Sequence, residues 1–196
     1  MSRAQVYTLG TDSWGEVDLK GIYCHLGSVG VYCRGFYYWW NMGSRDSENS
    51  VLSFDMSEEK FRSIQLPEKP RRPNTKFWRL TMWNESVAFF ISTKRSWLSS
   101  SFEMWVMEHN FNGVEGFTYW NKHLTIGPLV CIHSPLAFWK DDELLMQTRD
   151  GRIVSYNLHT QNFKELSIAG SVFPRLSRAF SCLKSLVSVK KICLNR

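Results

Sequence analysis

No stretch of this chain approaches the roughly 18 consecutive apolar residues that a membrane-spanning helix requires. Nor does any stretch hold the 3.6-residue apolar period over the 11 or so positions that mark an amphipathic helix. The opening residues Met1-Ser2-Arg3-Ala4-Gln5 lack the apolar core of a secretory signal, so the expected location is the cytoplasm, with no membrane contact. Cysteine is sparse and odd in number: five, at positions 24, 33, 131, 182 and 193, with no Cys-x-x-Cys pair. That excludes a disulfide framework and a zinc ribbon. Cys24 beside His25 and Cys131 near His133 are short of the four ligands that a structural zinc site takes, so buried thiols and surface histidines are expected instead of a metal.

Catalytic signatures are also missing. There is no Gly-x-Ser-x-Gly elbow, no glycine-rich phosphate cradle and no His-Glu-x-x-His, and nothing in the chain calls for a cofactor. Carboxylates do cluster at Glu58-Glu59 and at Asp141-Asp142-Glu143, and paired carboxylates are what a glycosidase uses. Adjacent acids on a strand point to opposite faces, however, and acids in a turn are solvated, so the reading is of polar turns and of a protein that is not an enzyme.

Acidic residues are absent from the last stretch. Residues 171–196 carry six Lys or Arg and no Asp or Glu, which accounts for the whole formal net charge of +6. Residues 1–170 are balanced. A nucleic-acid surface would place basic charge on the folded body as well, so no nucleic-acid partner is expected. Within that stretch, Leu183-Lys184-Ser185-Leu186-Val187-Ser188-Val189-Lys190-Lys191-Ile192 has β-branched residues and partial alternation, the pattern of a final edge strand guarded by lysines. The domain reading is therefore a β domain over 1–170 and a basic C-terminal segment over 171–196.

What the chain has in quantity is aromatic, β-forming sequence, 15% Phe, Trp and Tyr in 196 residues. One phrase recurs: strand-forming residues, a polar turn, then a bulky aromatic. It runs Val6-Tyr7-Thr8-Leu9-Gly10-Thr11-Asp12-Ser13-Trp14, then Val51-Leu52-Ser53-Phe54-Asp55-Met56 to Phe61, then more weakly Glu103-Met104-Trp105-Val106-Met107 to Trp120, then Ile153-Val154-Ser155-Tyr156-Asn157-Leu158 to Phe163. Successive closing aromatics are 47, 59 and 43 positions apart, near the period of propeller blades. Within a phrase, alternation as in Val51, Ser53 and Asp55 against Leu52, Phe54 and Met56 is expected to put one face on a core and the other toward water or a polar neighbour, with the closing aromatic starting the next strand. Three further hairpins stand between the phrases. Gly35 interrupts the run Val31–Trp40, Asn84-Glu85-Ser86 interrupts 77–90, and Lys140-Asp141-Asp142-Glu143 interrupts 136–146. The fold class expected is all-β, a series of antiparallel sheets, kelch-like or partly propeller-like.

The ordered succession of these segments resembles the F-box-associated domain of plant F-box proteins. The residues carrying the resemblance are Val6–Trp14, Gly35–Trp39, Leu52–Asp55 with Phe61 and Ile64–Pro67, Glu103–Met107, Leu124–Leu129, Ser134–Met146, Asp150–Arg152 with Ser155–Asn157, and Lys184–Lys190. Within the family, the chain is most similar to S-locus F-box proteins of the apple and pear type. The resemblance implies a substrate receptor of a Skp1, cullin and F-box ubiquitin ligase, whose β domain holds a protein. In the S-locus branch that protein is a pistil S-ribonuclease, recognised in pollen self-incompatibility. No F-box is read within these 196 residues, so Skp1 and cullin are expected as partners only if an F-box is supplied. The runner-up is a stand-alone β interaction domain without ligase function.

Loops between strands on a rigid scaffold are where such a module binds. The candidate contacts are Arg45 and Asp46, Lys69, Arg71 and Arg72, Lys94, Arg95 and Trp97, and Lys140 and Asp141, since Arg and Trp are over-represented at interface hot spots. Lys69, Arg71 and Arg72 lie among Pro67, Pro70 and Pro73, which bars a central strand and a continuing helix and is expected to hold the charges on a restrained loop.

Overall fold

The structure, a computed structural model, describes residues 4–19, 30–41, 50–67, 78–95, 99–110, 117–168 and 179. Among them there are strands and turns and no helix. The strands are β1 (Ala4–Thr8), β2 (Ser13–Val17), β3 (Val31–Cys33), β4 (Phe36–Asn41), β5 (Ser50–Asp55), β6 (Lys60–Gln65), β7 (Trp78–Trp83), β8 (Ser86–Arg95), β9 (Ser99–Asn110), β10 (Phe117–Val130), β11 (Ile132–Lys140), β12 (Glu143–Thr148), β13 (Ile153–Asn157) and β14 (Phe163–Glu165). They form consecutive antiparallel meanders: β1-β2, β3-β4-β5-β6, β7-β8-β9-β10 and β11-β12-β13-β14.

The recurring phrase is the last hairpin of each meander. Tyr7 pairs with Trp14, Phe54 with Phe61, Met107 with Trp120 and Tyr156 with Phe163, each directly opposite the other across the final two strands. In the three all-aromatic copies the ring centroids are 5.0, 4.7 and 4.9 Å apart, within the range in which aromatic pairs attract. The turns repeat too. Asp55 Oδ1 accepts hydrogen bonds from the Ser57 amide (2.9 Å), the Ser57 hydroxyl (2.7 Å) and the Glu58 amide (3.1 Å). At the matching position, Asn157 Oδ1 accepts from the His159 amide (3.1 Å), the Thr160 amide (2.8 Å) and the Thr160 hydroxyl (3.1 Å). A short side-chain acceptor thus closes the turn by standing in for a backbone carbonyl. The expectation that the aromatic starts the next strand needs adjusting at Trp120, which is four residues into β10 because β9 and β10 are longer than their counterparts. That extra length also accounts for the wide spacing before Trp120.

The three interrupted runs are hairpins as expected. Arg34-Gly35 and Asn84-Glu85 form two-residue turns with positive φ at both positions (48° and 87°; 44° and 58°), the mirror-image turn that suits strand twist. Left-handed backbone is unfavourable for Arg34 and Glu85. Their guanidinium and carboxylate pair across the two turns at 3.2 Å.

The sheets stack face to face. On β8, Val87, Phe89 and Ile91 face the β3–β6 sheet, joining Cys33, Tyr38, Val51, Leu80 and Met107 in one core. Ala88 and Phe90 face the other way, joining Phe102, Met104, Val106 and Ile126 with Ile132, Leu144, Met146, Val154 and Tyr156 of the β11–β14 sheet in a second core. Of the two surroundings expected for the polar side of β5, water is ruled out: every residue from Ser50 to Asp55 is buried, polar ones included. The polar residues on β5 meet polar neighbours, as where Ser53 Oγ donates to the Arg62 carbonyl and Asp55 accepts from Ser57 and Glu58. The first strands, β3, β7 and β11, touch one another, β7 contacting both of the others. The three four-stranded meanders therefore run outward from neighbouring first strands, with β7 between β3 and β11.

Candidate functional site

Sequential antiparallel pairing puts every odd-to-even turn at the same end of its sheet, and these turns are linked both within a sheet and from one sheet to the next. The Met56 amide donates to the Gly35 carbonyl (3.0 Å), Cys33 Sγ to the Glu85 carbonyl (3.2 Å), Trp83 Nε1 to the Asp141 carbonyl (3.1 Å), and the Leu158 amide to the Asp142 carbonyl (2.9 Å). His159 Nε2 lies 3.1 Å from Asp142 Oδ2. The outcome is a connected strip of turns across three sheets, with Arg34, Glu85, Lys140, Asp141 and His159 on its exposed side.

Trp139 is an exposed, anchored indole on this strip. Although 46% exposed, its indole Nε1 donates to Ser155 Oγ at 3.1 Å. Ser155, fully buried, donates in turn to Glu143 Oε2, while Asn157 Nδ2 donates to Glu143 Oε1 at 3.1 Å. Lys140 Nζ sits 4.5 Å from the centroid of the Trp139 ring. The Ser155 hydroxyl and the Asn157 amide hold the Glu143 carboxyl below the usual carboxylate range, with Lys140 and Lys164 adding to the effect. A broad aromatic surface is thus fixed in orientation before any partner arrives, which limits the ordering cost of binding.

Of the residues singled out in the sequence, Lys140 ends β11 and Asp141 opens the following turn, so both lie on this strip. Lys94 and Arg95 are the last two residues of β8, opposite Ser101 and Ser100, at the end of the sheet remote from the Asn84-Glu85 turn. Arg45, Asp46, Lys69, Arg71, Arg72 and Trp97 lie outside the described residues, as does the 183–192 segment. Trp139 was not among the candidates. The signal for it was its place one residue before Lys140 and on the opposite strand face from Phe138, which packs against the core.

Glu58, Glu59, Asp141 and Asp142 are turn residues as expected, but Glu143 opens β12, where Ser155 and Asn157 hold its carboxylate in place of water. Glu58 pairs with Lys60 (3.3 Å) and Arg62 (3.2 Å), Glu59 is exposed at a φ of 52°, and Asp142 pairs with His159. Every described carboxyl whose pKa is displaced is displaced downward, namely Asp55, Glu108, Glu143 and Asp150, each by hydrogen bonds to its ionised form. None is poised as a general acid. No group of three or more His, Cys, Asp or Glu among the described residues could hold a metal ion. No described helix is long and apolar enough to cross a membrane.

Residues 1–189 match the model of the F-box associated beta propeller domain. Two relatives come from Arabidopsis thaliana. A putative F-box/kelch-repeat protein is 28% identical over 123 residues, covering 62% of this chain and 31% of the relative. A putative F-box protein is 26% identical over 148 residues, covering 74% of this chain and 38% of the relative. The chain thus spans about a third of the length of the curated relatives it matches. With the stacked antiparallel meanders and a family match over nearly its whole length, the chain belongs to the F-box associated β-propeller domain family.

Proposed function

We propose that this chain is the substrate-holding region of a receptor for a Skp1, cullin and F-box ubiquitin ligase, acting as a non-catalytic adaptor inside the cell. Its likeness to F-box proteins supports this reading. The observation that carries it is Trp139, a half-exposed indole fixed by the Ser155–Glu143–Asn157 hydrogen bonds beside Lys140. Rigid aromatic groups next to a charge are the usual anchors of protein interfaces. The substrate class we assign is a pistil S-ribonuclease, from the similarity to S-locus F-box proteins. The proline-braced Lys69, Arg71 and Arg72 and the remaining loop candidates Arg45, Asp46, Lys94, Arg95 and Trp97 are proposed as further contacts.

The test joins this chain to a family F-box and measures binding of a panel of purified S-ribonucleases, together with their ubiquitination by the assembled ligase. Saturable binding to at least one ribonuclease, weakened about tenfold by Trp139→Ala, is the expected result. Binding to none of the panel by a folded fusion overturns the S-ribonuclease assignment. Ribonuclease binding without ubiquitination by the assembled ligase favours the stand-alone interaction module.

A further inference from the structure

We propose that the outer face of the β11–β14 sheet is covered by this chain's own segment 183–192, which docks on it as a strand. Along β12 and β13, Leu144, Met146, Val154 and Tyr156 face the β7–β10 sheet in the second core. Alternation turns Leu145, Gln147, Ile153 and Ser155 the other way, together with Ser134 and Ala137, which stand opposite Gln147 and Leu145 on β11. On this outer face Ser134, Ala137, Gln147, Ile153 and Ser155 are all buried, Gln147 and Ser155 completely. A glutamine side chain stands well clear of the sheet surface, so flanking strands alone do not hide it. Its burial calls for a further layer on this side.

The cover belongs on the half of this face remote from the turn strip. Trp139, on the same face beside the Asp141-Asp142 turn, stays 46% exposed. β14 runs toward the remote half, with Phe163 opposite Tyr156 and Glu165 opposite Val154, so the chain leaves the sheet beside Ile153. Between Glu165 and Leu183 there is ample chain to recross a sheet four strands wide, about 15 Å at about 4.8 Å between strands. The family match continues to residue 189, so most of the segment falls within the β-propeller domain.

The sequence of the segment suits the place. As a strand, it puts Leu183, Ser185, Val187 and Val189 on one side and Lys184, Leu186, Ser188 and Lys190 on the other. The first side meets a surface that mixes Ala137, Leu145 and Ile153 with Ser134 and Gln147. The second keeps both ammonium groups in water, where they also guard the new layer against further pairing. The segment is thereby part of the folded domain and not a free basic tail. This docking does not depend on the protein partner proposed above.

The experiment places photoreactive benzoylphenylalanine at Val187 of the intact chain, and separately at Ser188, and maps the cross-links by mass spectrometry. From Val187, a link within one chain to peptides covering residues 134–137 or 145–155 is expected; from Ser188, none to them. Hydrogen exchange of the unsubstituted chain should show the 183–192 amides slowed about a hundredfold or more against an unfolded peptide. Val187→Asp should remove that protection while leaving β3–β6 protected, and Lys190→Glu, on the water side, should leave it unchanged. Val187 links to another sheet, or exchange of 183–192 at the unfolded rate in the folded protein, would overturn the proposal. Links between two chains would overturn it too, making the occupant a second copy.

Discussion

Phe54 lies directly across from Phe61 on β5 and β6, ring centroids 4.7 Å apart, and Tyr156 stands to Phe163 in the same way on β13 and β14. Below each pair, the next side chain on the inner strand of the hairpin, Asp55 or Asn157, folds back to accept the turn's amides. The repeat is thus a physical unit, an aromatic pair that clamps a hairpin and an acceptor that closes it. Loss of either should be felt locally.

For the acceptors, Asp55→Ala should cost about 1.5–3 kcal/mol, since its bonds are to a charged group, and Asn157→Ala about 0.5–1.5 kcal/mol. The two sit in different sheets and share no partner, so urea titration of the double variant should return the sum to within about 0.5 kcal/mol.

The Asp55 carboxyl also makes a prediction about acid. Donation by the Ser57 hydroxyl, then by the Glu58 and Ser57 amides, holds its folded pKa below the ordinary 3.8. A carboxyl whose folded pKa is depressed stabilises the fold above its unfolded pKa, and that contribution is lost as pH falls through the folded value. The urea midpoint should therefore decline as pH drops below about 4, and Asp55→Asn should make that decline shallower. An identical acid slope in both proteins would count against the assignment.

Phe89, fully buried between Trp40 (5.4 Å) and Trp120 (5.7 Å), joins β8 to strands of two sheets. Phe89→Ala should cost about 3–5 kcal/mol, large enough in a domain of ordinary stability for calorimetry to show a marked fall in Tm.

Three glycines separate backbone strain from steric contact. An added Cβ meets nothing within 4 Å at Gly10 or at Gly35, yet Gly35 has a φ of 87°; at Gly127 there is both a positive φ and the Ser100 carbonyl. Alanine should be nearly neutral at Gly10, cost about 1–2 kcal/mol at Gly35, and cost more at Gly127, as read by denaturant midpoints.

Loop charge can be tested apart from the fold. The double change Arg71→Glu and Arg72→Glu should lower affinity for an S-ribonuclease bound by the F-box fusion about tenfold, roughly 1.4 kcal/mol, and reduce the salt dependence of association. Circular dichroism should be unchanged. Equal affinity and equal salt dependence would take this loop out of the interface.

Strand content, the hairpin turns and the repeat were legible in the sequence because each depends on near neighbours. Asn84-Glu85 and Arg34-Gly35 interrupt β-forming runs, and each phrase places its closing aromatic opposite a partner on the preceding strand. Asp141 was legible as a turn residue, and Lys140 as the residue flanking that turn, for the same reason. Which strand faces meet water was not, because a period of two assigns residues to faces without saying what covers them. Stacking decided it: both faces of β5 and β8 are buried, and Ser155 lies out of water beneath Trp139. These relations join residues far apart in the chain. They arise only once the sheets bury their apolar faces against each other, and that packing turns Trp139 from one more strand aromatic into an anchored surface.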